Sequence, residues 1–134
     1  MIDEIGALLR EVKVIALVGA SARPERPSHE VMAFLQHRGY RVIPVNPGLA
    51  GKILLGERVR ASLRDIMEEV DMVDVFRRAD AAEAIAQDAI AIGARALWLQ
   101  LGVVNEEAAE KARAAGLRVV MDRCPKIELM RRDD

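Results

Sequence analysis

The chain has 134 residues, the length of one domain, and 51% of them are hydrophobic, enough to bury a sizeable core. One tryptophan, one tyrosine and two phenylalanines leave that core to aliphatic side chains. Lys and Arg number 20 against 21 Asp and Glu, a formal charge of −1, so the balance gives no reason to expect nucleic acid or an anionic membrane as a partner.

The single cysteine, Cys124, cannot support a disulfide framework within the chain, which fits a reducing compartment. The opening residues, MIDEIGALLREVKVI, place acidic groups before the apolar ones, the reverse of a secretory leader. No apolar run is long enough to span a bilayer. A cytoplasmic protein is expected, folded as a single domain over residues 1–134, with no internal linker and no solenoid repeat.

Ile2, Ile5, Leu8, Leu9 and Val12 recur at helical spacing and predict an N-terminal helix over residues 1–11. Val12 to Val18 is then nearly continuous in apolar residues, the signature of a strand covered on both faces, and it stops at Gly19. Helical spacing resumes at Val31, Phe34 and Leu35, with Ser28 predicted as the N-cap and Gly39 as the stop. Arg41 to Val45 reads as a second strand closed by Asn46-Pro47-Gly48. Residues 49–66 fit the alternation least well and predict a short extended pair and a helical turn. Asp71–Phe76, Arg95–Leu99 and Leu117–Met121 predict three more strands. Between them lie an alanine-rich helix over 79–93 and a helix capped by Asn105 that runs to Ala115. Strands alternating with helices call for a doubly wound α/β fold: a mainly parallel five-stranded sheet with helices on both faces.

In such a sheet, ligands bind beyond the C-terminal ends of the strands. That rule selects four loops: Gly19–Ser28, Asn46–Lys52, Phe76–Asp80 and Gln100–Asn105. The first, GASARPERPS, carries the parts of a phosphate cradle. Gly19 and Ala20 allow close backbone approach, Ser21 has a hydroxyl to donate, Arg23 and Arg26 offer charge-assisted hydrogen bonds, and a helix begins near Ser28. In the second loop, Asn46, Pro47 and Lys52 offer an amide, a rigid turn and a point charge, although Asn-Pro-Gly is also ordinary turn chemistry. In the third, Phe76 and Arg77 offer a flat wall and a cation, or else a core side chain beside a solvated one. In the fourth, Gln100 and Gly102 follow a buried strand, where a glutamine needs partners from a ligand or from the backbone.

A dinucleotide fingerprint is excluded. G-x-G-x-x-G would need glycines where Ser21 and Pro24 stand, and no acidic residue ends the second strand to hold a ribose. There is no Walker A sequence and no metal-ligand spacing.

The stretches VGASARPERPS, VIPVNP, VDVFRR and WLQLGVVNEEAAEKARAAGLRVVMDRC occur in an order that is distinctive as a set. From about Val14 to Glu128 the chain resembles the small, stand-alone CoA-binding domain proteins, themselves similar to the N-terminal domain of the succinyl-CoA synthetase α subunit. The resemblance implies a Rossmann-like domain that takes coenzyme A or an acyl-CoA as its small-molecule partner. It would place the diphosphate at Gly19–Ser28 and the adenosine end at Asn46, Pro47 and the loop to Lys52. Phe76 and Arg77 would close over that end, and Gln100 and Gly102 would lie towards the pantetheine arm. The synthetase's phosphorylated histidine has no counterpart, since His29 and His37 both fall on the first major helix, so binding carries over and synthetase activity does not. No catalytic residue is assigned: the expectation is a non-catalytic binding module, whose partner enzyme, if it has one, is unknown. Two other readings stay open: a small acyl-CoA or thiol-transfer enzyme using Cys124, and a site for another adenine nucleotide.

Overall fold

The structure is a computed structural model that describes residues 2–133. Helix α1 (Glu4–Glu11) starts at Asp3, whose carboxylate accepts from the Gly6 N–H at 3.1 Å. Strand β1 (Val14–Val18) follows and ends in a turn at Gly19. Helix α2 (Pro27–His37) leads to β2 (Arg41–Val45). A hairpin of β3 (Ile53–Leu54) and β4 (Glu57–Arg58) then projects, followed by a 3-10 turn at Leu63–Asp65. The remaining elements are β5 (Met72–Val75), α3 (Ala82–Ala91), β6 (Ala96–Leu99), α4 (Glu106–Ala114), β7 (Arg118–Val120) and α5 (Pro125–Arg131).

The five long strands make one parallel sheet in the order β2-β1-β5-β6-β7, so the α/β, Rossmann-like doubly wound architecture expected from the sequence is the one formed. The chain winds outward from β1 to β2, then returns to β5 on the other side of β1. The crevice between the C-terminal ends of β1 and β5 is therefore the topological switch point.

The strand residues alternate between two cores. Ala16, Val18, Val73, Val75, Leu97 and Leu99 face α3 and α4. Those two helices meet through small side chains, among them Ala82, Ala86, Ala89, Ala108 and Ala112, which lets their backbones lie close to the sheet and to each other. On the other face, Ile15, Leu17, Met72, Ala96 and Trp98 pack under α1, α2 and α5. Trp98 is fully buried there, and its indole N–H donates to the Arg123 carbonyl at 2.7 Å. That bond ties β6 to the backbone just before α5.

One local expectation is corrected. Ser28 is not the N-cap of α2. Proline, with φ fixed near helical values and no N–H to lose, takes the first helical position at Pro27, so the cap falls on Arg26 and Ser28 lies inside the first turn. Beyond the predicted elements, α5 follows the fifth strand, docked through the buried Leu129 and tied to α1 by Arg132, which donates to Asp3 at 2.8 Å.

Candidate functional site

At the switch point the loops after β1, β2 and β5 enclose a groove of about 640 Å³. Gly19 sets its geometry. Its φ is +96°, and a Cβ there would stand 2.4 Å from the Phe76 carbonyl oxygen. Only glycine suits both the left-handed backbone and the close crossing of the two loops. The N–H groups of Gly19 and Ala20 both donate to the Val45 carbonyl, at 3.0 and 3.3 Å, closing the β1 loop onto β2.

Asn46 completes that closure. Its Nδ2 donates to the Ala20 carbonyl at 2.7 Å, and its Oδ1 accepts from the Gly48 N–H at 2.8 Å. The side-chain oxygen and one amide hydrogen are therefore committed within the chain. Asn46 lines the groove chiefly as the staple between two of its walls.

The electrostatics of the groove are one-sided. α2 begins against it with no side-chain cap on its first turn. Pro27 has no N–H, and His29 and Glu30 donate to the Arg26 carbonyl, so the Ser28 N–H is the donor left open at the positive end of the helix. Ser21 accepts from the Arg23 N–H at 3.1 Å through its Oγ, which leaves the hydroxyl hydrogen free to donate. Arg26 and Arg77 line the groove, are exposed and, among the described residues, make no ion pair. Arg23 faces Glu25 at 3.6 Å with both side chains about two-thirds exposed, a contact too solvated to hold it. Leu49 and Phe76 supply apolar walls.

A second cavity, about 650 Å³, continues past Phe76 between the N-terminal ends of α2 and α5. It shares Pro27, Phe76 and Arg77 with the groove, and its lining also includes Gln100, Leu101, Cys124 and Ile127. Gln100 is 8% exposed and its Oε1 has no hydrogen-bond partner among the described residues.

Of the residues singled out from the sequence, Gly19, Ala20, Ser21, Arg23, Arg26, Ser28, Asn46, Phe76 and Arg77 converge on the groove, and Gln100 lies in the adjoining cavity. Pro47, Lys52 and Gly102 line neither. Pro47 starts a 3-10 turn, Lys52 is exposed just before the hairpin, and the Gly102 N–H is taken by Asp122 at 2.7 Å.

One group escaped the sequence reading altogether. Asp74, in the middle of β5, is fully buried between Leu17 and Trp98, and neither carboxylate oxygen has a partner among the described residues. Burial holds its pKa well above the ordinary carboxylate value, because desolvation disfavours the charged form. Its signal in the sequence was an acidic residue inside an otherwise apolar strand, Met72-Val73-Asp74-Val75.

Comparison with known proteins decides the family. A model described as "CoA binding domain" matches residues 13–130. The chain belongs to the CoA-binding domain family. The protein YneT of Bacillus subtilis (strain 168) is 40% identical over 124 residues, covering 92% of this chain and 90% of its own. A Thermus thermophilus protein, cell-free ID.343, superposes with a TM-score of 0.91 at 41% identity, covering 96% of both chains. The dinucleotide-forming acetyl-coenzyme A synthetase 1 of Ca. Korarchaeum cryptofilum, in complex with phosphate and ADP, matches with a TM-score of 0.71 at 25% identity. That match covers 86% of this chain and 27% of the synthetase, so this CoA-binding domain corresponds to one portion of a larger enzyme.

Proposed function

We propose that the groove binds coenzyme A and that the chain acts as a binding module rather than a catalyst. The observation that carries this reading is the pair of unpaired guanidinium groups, Arg26 and Arg77, beside the uncapped start of α2. Such a site favours a polyanion, because backbone N–H, helix dipole and guanidinium all act on the same charge. The diphosphate would lie over Gly19–Ser28, with the Ser28 N–H, the Ser21 hydroxyl and Arg26 as its donors. The adenosine end would pass between Leu49 and Phe76, and the pantetheine arm would run past Phe76 into the cavity that holds Gln100. An arm carrying amides suits that cavity, since the orphaned Gln100 oxygen wants a donor. The family match and the synthetase neighbour, whose own structure contains phosphate and ADP, support the same assignment.

The test is calorimetric titration at fixed salt with CoA, dephospho-CoA, ADP and NAD. CoA should bind tightest, dephospho-CoA should be weaker, and NAD should be weakest, because the second strand ends in Val45-Asn46 with no acidic residue to grip a ribose. NAD binding as tightly as CoA would overturn the assignment.

A further inference from the structure

We propose that Cys124 is a covalent anchor for the sulfur of coenzyme A, formed by exchange with a CoA disulfide; this rests on the reading of the groove given above. Cys124 is the only cysteine of the chain and lines the second cavity while remaining 7% exposed. That cavity adjoins the nucleotide groove, the two sharing Pro27, Phe76 and Arg77 in their walls, so a ligand held by its diphosphate can direct its far end here. Gln100 lines the same space, more than nine-tenths buried, with its side-chain oxygen unpartnered. The far end of CoA presents an amide N–H and then a thiol, which match an orphaned acceptor and a cysteine. The thiol is also held in place: the Trp98 indole N–H grips the carbonyl of Arg123, the residue before it.

The chemistry balances without any other reagent. The Cys124 thiol gives up its proton to solvent, and its thiolate attacks the CoA sulfur of a mixed or symmetrical CoA disulfide. The Cys124–CoA bond forms as the old S–S bond breaks, and the departing thiolate takes a proton and leaves as a free thiol. The cavity favours this reaction over acyl transfer. Attack on a thioester builds an oxyanion that needs a proton relay and aimed donors. No histidine lines the cavity, where the ionisable groups besides Cys124 are Glu30, Arg77, Arg78 and Lys126. Disulfide exchange keeps the charge on sulfur and needs neither.

The test follows adduct formation by intact mass on the reduced wild-type chain with CoA disulfide, and separately with glutathione disulfide at equal concentration. The nucleotide end raises the local concentration of the CoA sulfur, so the CoA adduct should form about tenfold faster or more. Arg26→Ala should slow the CoA adduct and leave the glutathione adduct unchanged. Equal rates with the two disulfides would overturn the proposal, as would acetyl-CoA leaving an acetyl group on Cys124. A separate calorimetric titration with reduced CoA distinguishes the failures. Binding without selective exchange removes the anchor alone, and absence of both removes the groove assignment with it.

Discussion

The two ends of the parallel sheet carry cavities of similar size, about 610 and 640 Å³, yet their charges are arranged differently. The lower one lies under the N-terminal ends of β1 and β2, where Arg38 and Arg132 are neutralised by the chain itself. Arg38 donates to Asp133 at 2.6 Å, and Arg132 donates to Asp3 at 2.8 Å and to Glu128 at 3.1 Å. Arg10 and Lys13, both exposed, also line it and are left unpaired among the described residues. The upper cavity keeps Arg26 and Arg77 unpaired. One helix spans the difference: α2 turns its positive start towards the groove and its negative end, at Arg38 and Gly39, towards the lower cavity. Volume does not separate the two cavities, and each keeps two unpaired cations among the described residues; the polarity of α2 is what distinguishes them.

The comparison breaks most completely at Gly19. Gly19→Ala forces a Cβ against the Phe76 carbonyl in a left-handed backbone, so it should both lower the unfolding midpoint and abolish measurable CoA binding. Thermal unfolding and calorimetry read the two effects separately. Next in size is the contrast between the ends. Arg26→Ala should weaken CoA binding by about 1–3 kcal/mol, the range for a hydrogen bond to a charged group, with no change in unfolding midpoint. Arg132→Ala should do the reverse, loosening the α1–α5 contact while leaving affinity intact. Affinity loss in Arg132→Ala, or none in Arg26→Ala, would erase the distinction.

The smallest effect on binding is expected at Asp74, which touches neither cavity. Its pKa is raised in the folded chain above the unfolded value of 3.8, so the folded state holds the proton more tightly. That contribution is complete below pH 3.8 and is lost as pH rises towards the folded pKa. Relative to Asp74→Asn, the wild type should therefore lose stability as pH rises above 3.8, with CoA affinity the same in both. Glu68 behaves in the opposite sense in either protein. Held down to about 2 by Arg60 and Arg41, it contributes stability above its ordinary range that is lost on acidification, so the two chains must be compared at matched pH. Urea unfolding at several pH values measures the gap; a constant gap would mean that Asp74 is ionised or solvated.

The alternation of strands and helices was legible because fully covered strands read as apolar runs, as Val14–Val18 and Ala96–Leu99 do, and because Gly39, Gly93 and Gly116 mark helix ends. The switch-point rule then found most of the groove. Side-chain direction was less legible. Asn46 looked like a ligand group, but its bonds to Ala20 and Gly48 depend on how two loops cross, which no local pattern encodes. Lys52 has the charge and the loop position of a ligand group, yet it lines neither cavity and directly precedes the hairpin. α5 was missed because seven residues, PKIELMR, are too few to show a helical period, and much of its hold on the fold is tertiary, through Leu129, Glu128 and Arg132. With it went the second cavity, whose wall includes Lys126 and Ile127.

The grip of Trp98 on the Arg123 carbonyl gives the protein an optical gauge of its own. As the sole indole, sealed from solvent at the joint between β6 and the last helix, it emits from one defined place. Its fluorescence will stay that of a dry interior for as long as α5 is seated, and will move to longer wavelength when that helix lifts away. No label is needed to follow the wall that carries Cys124.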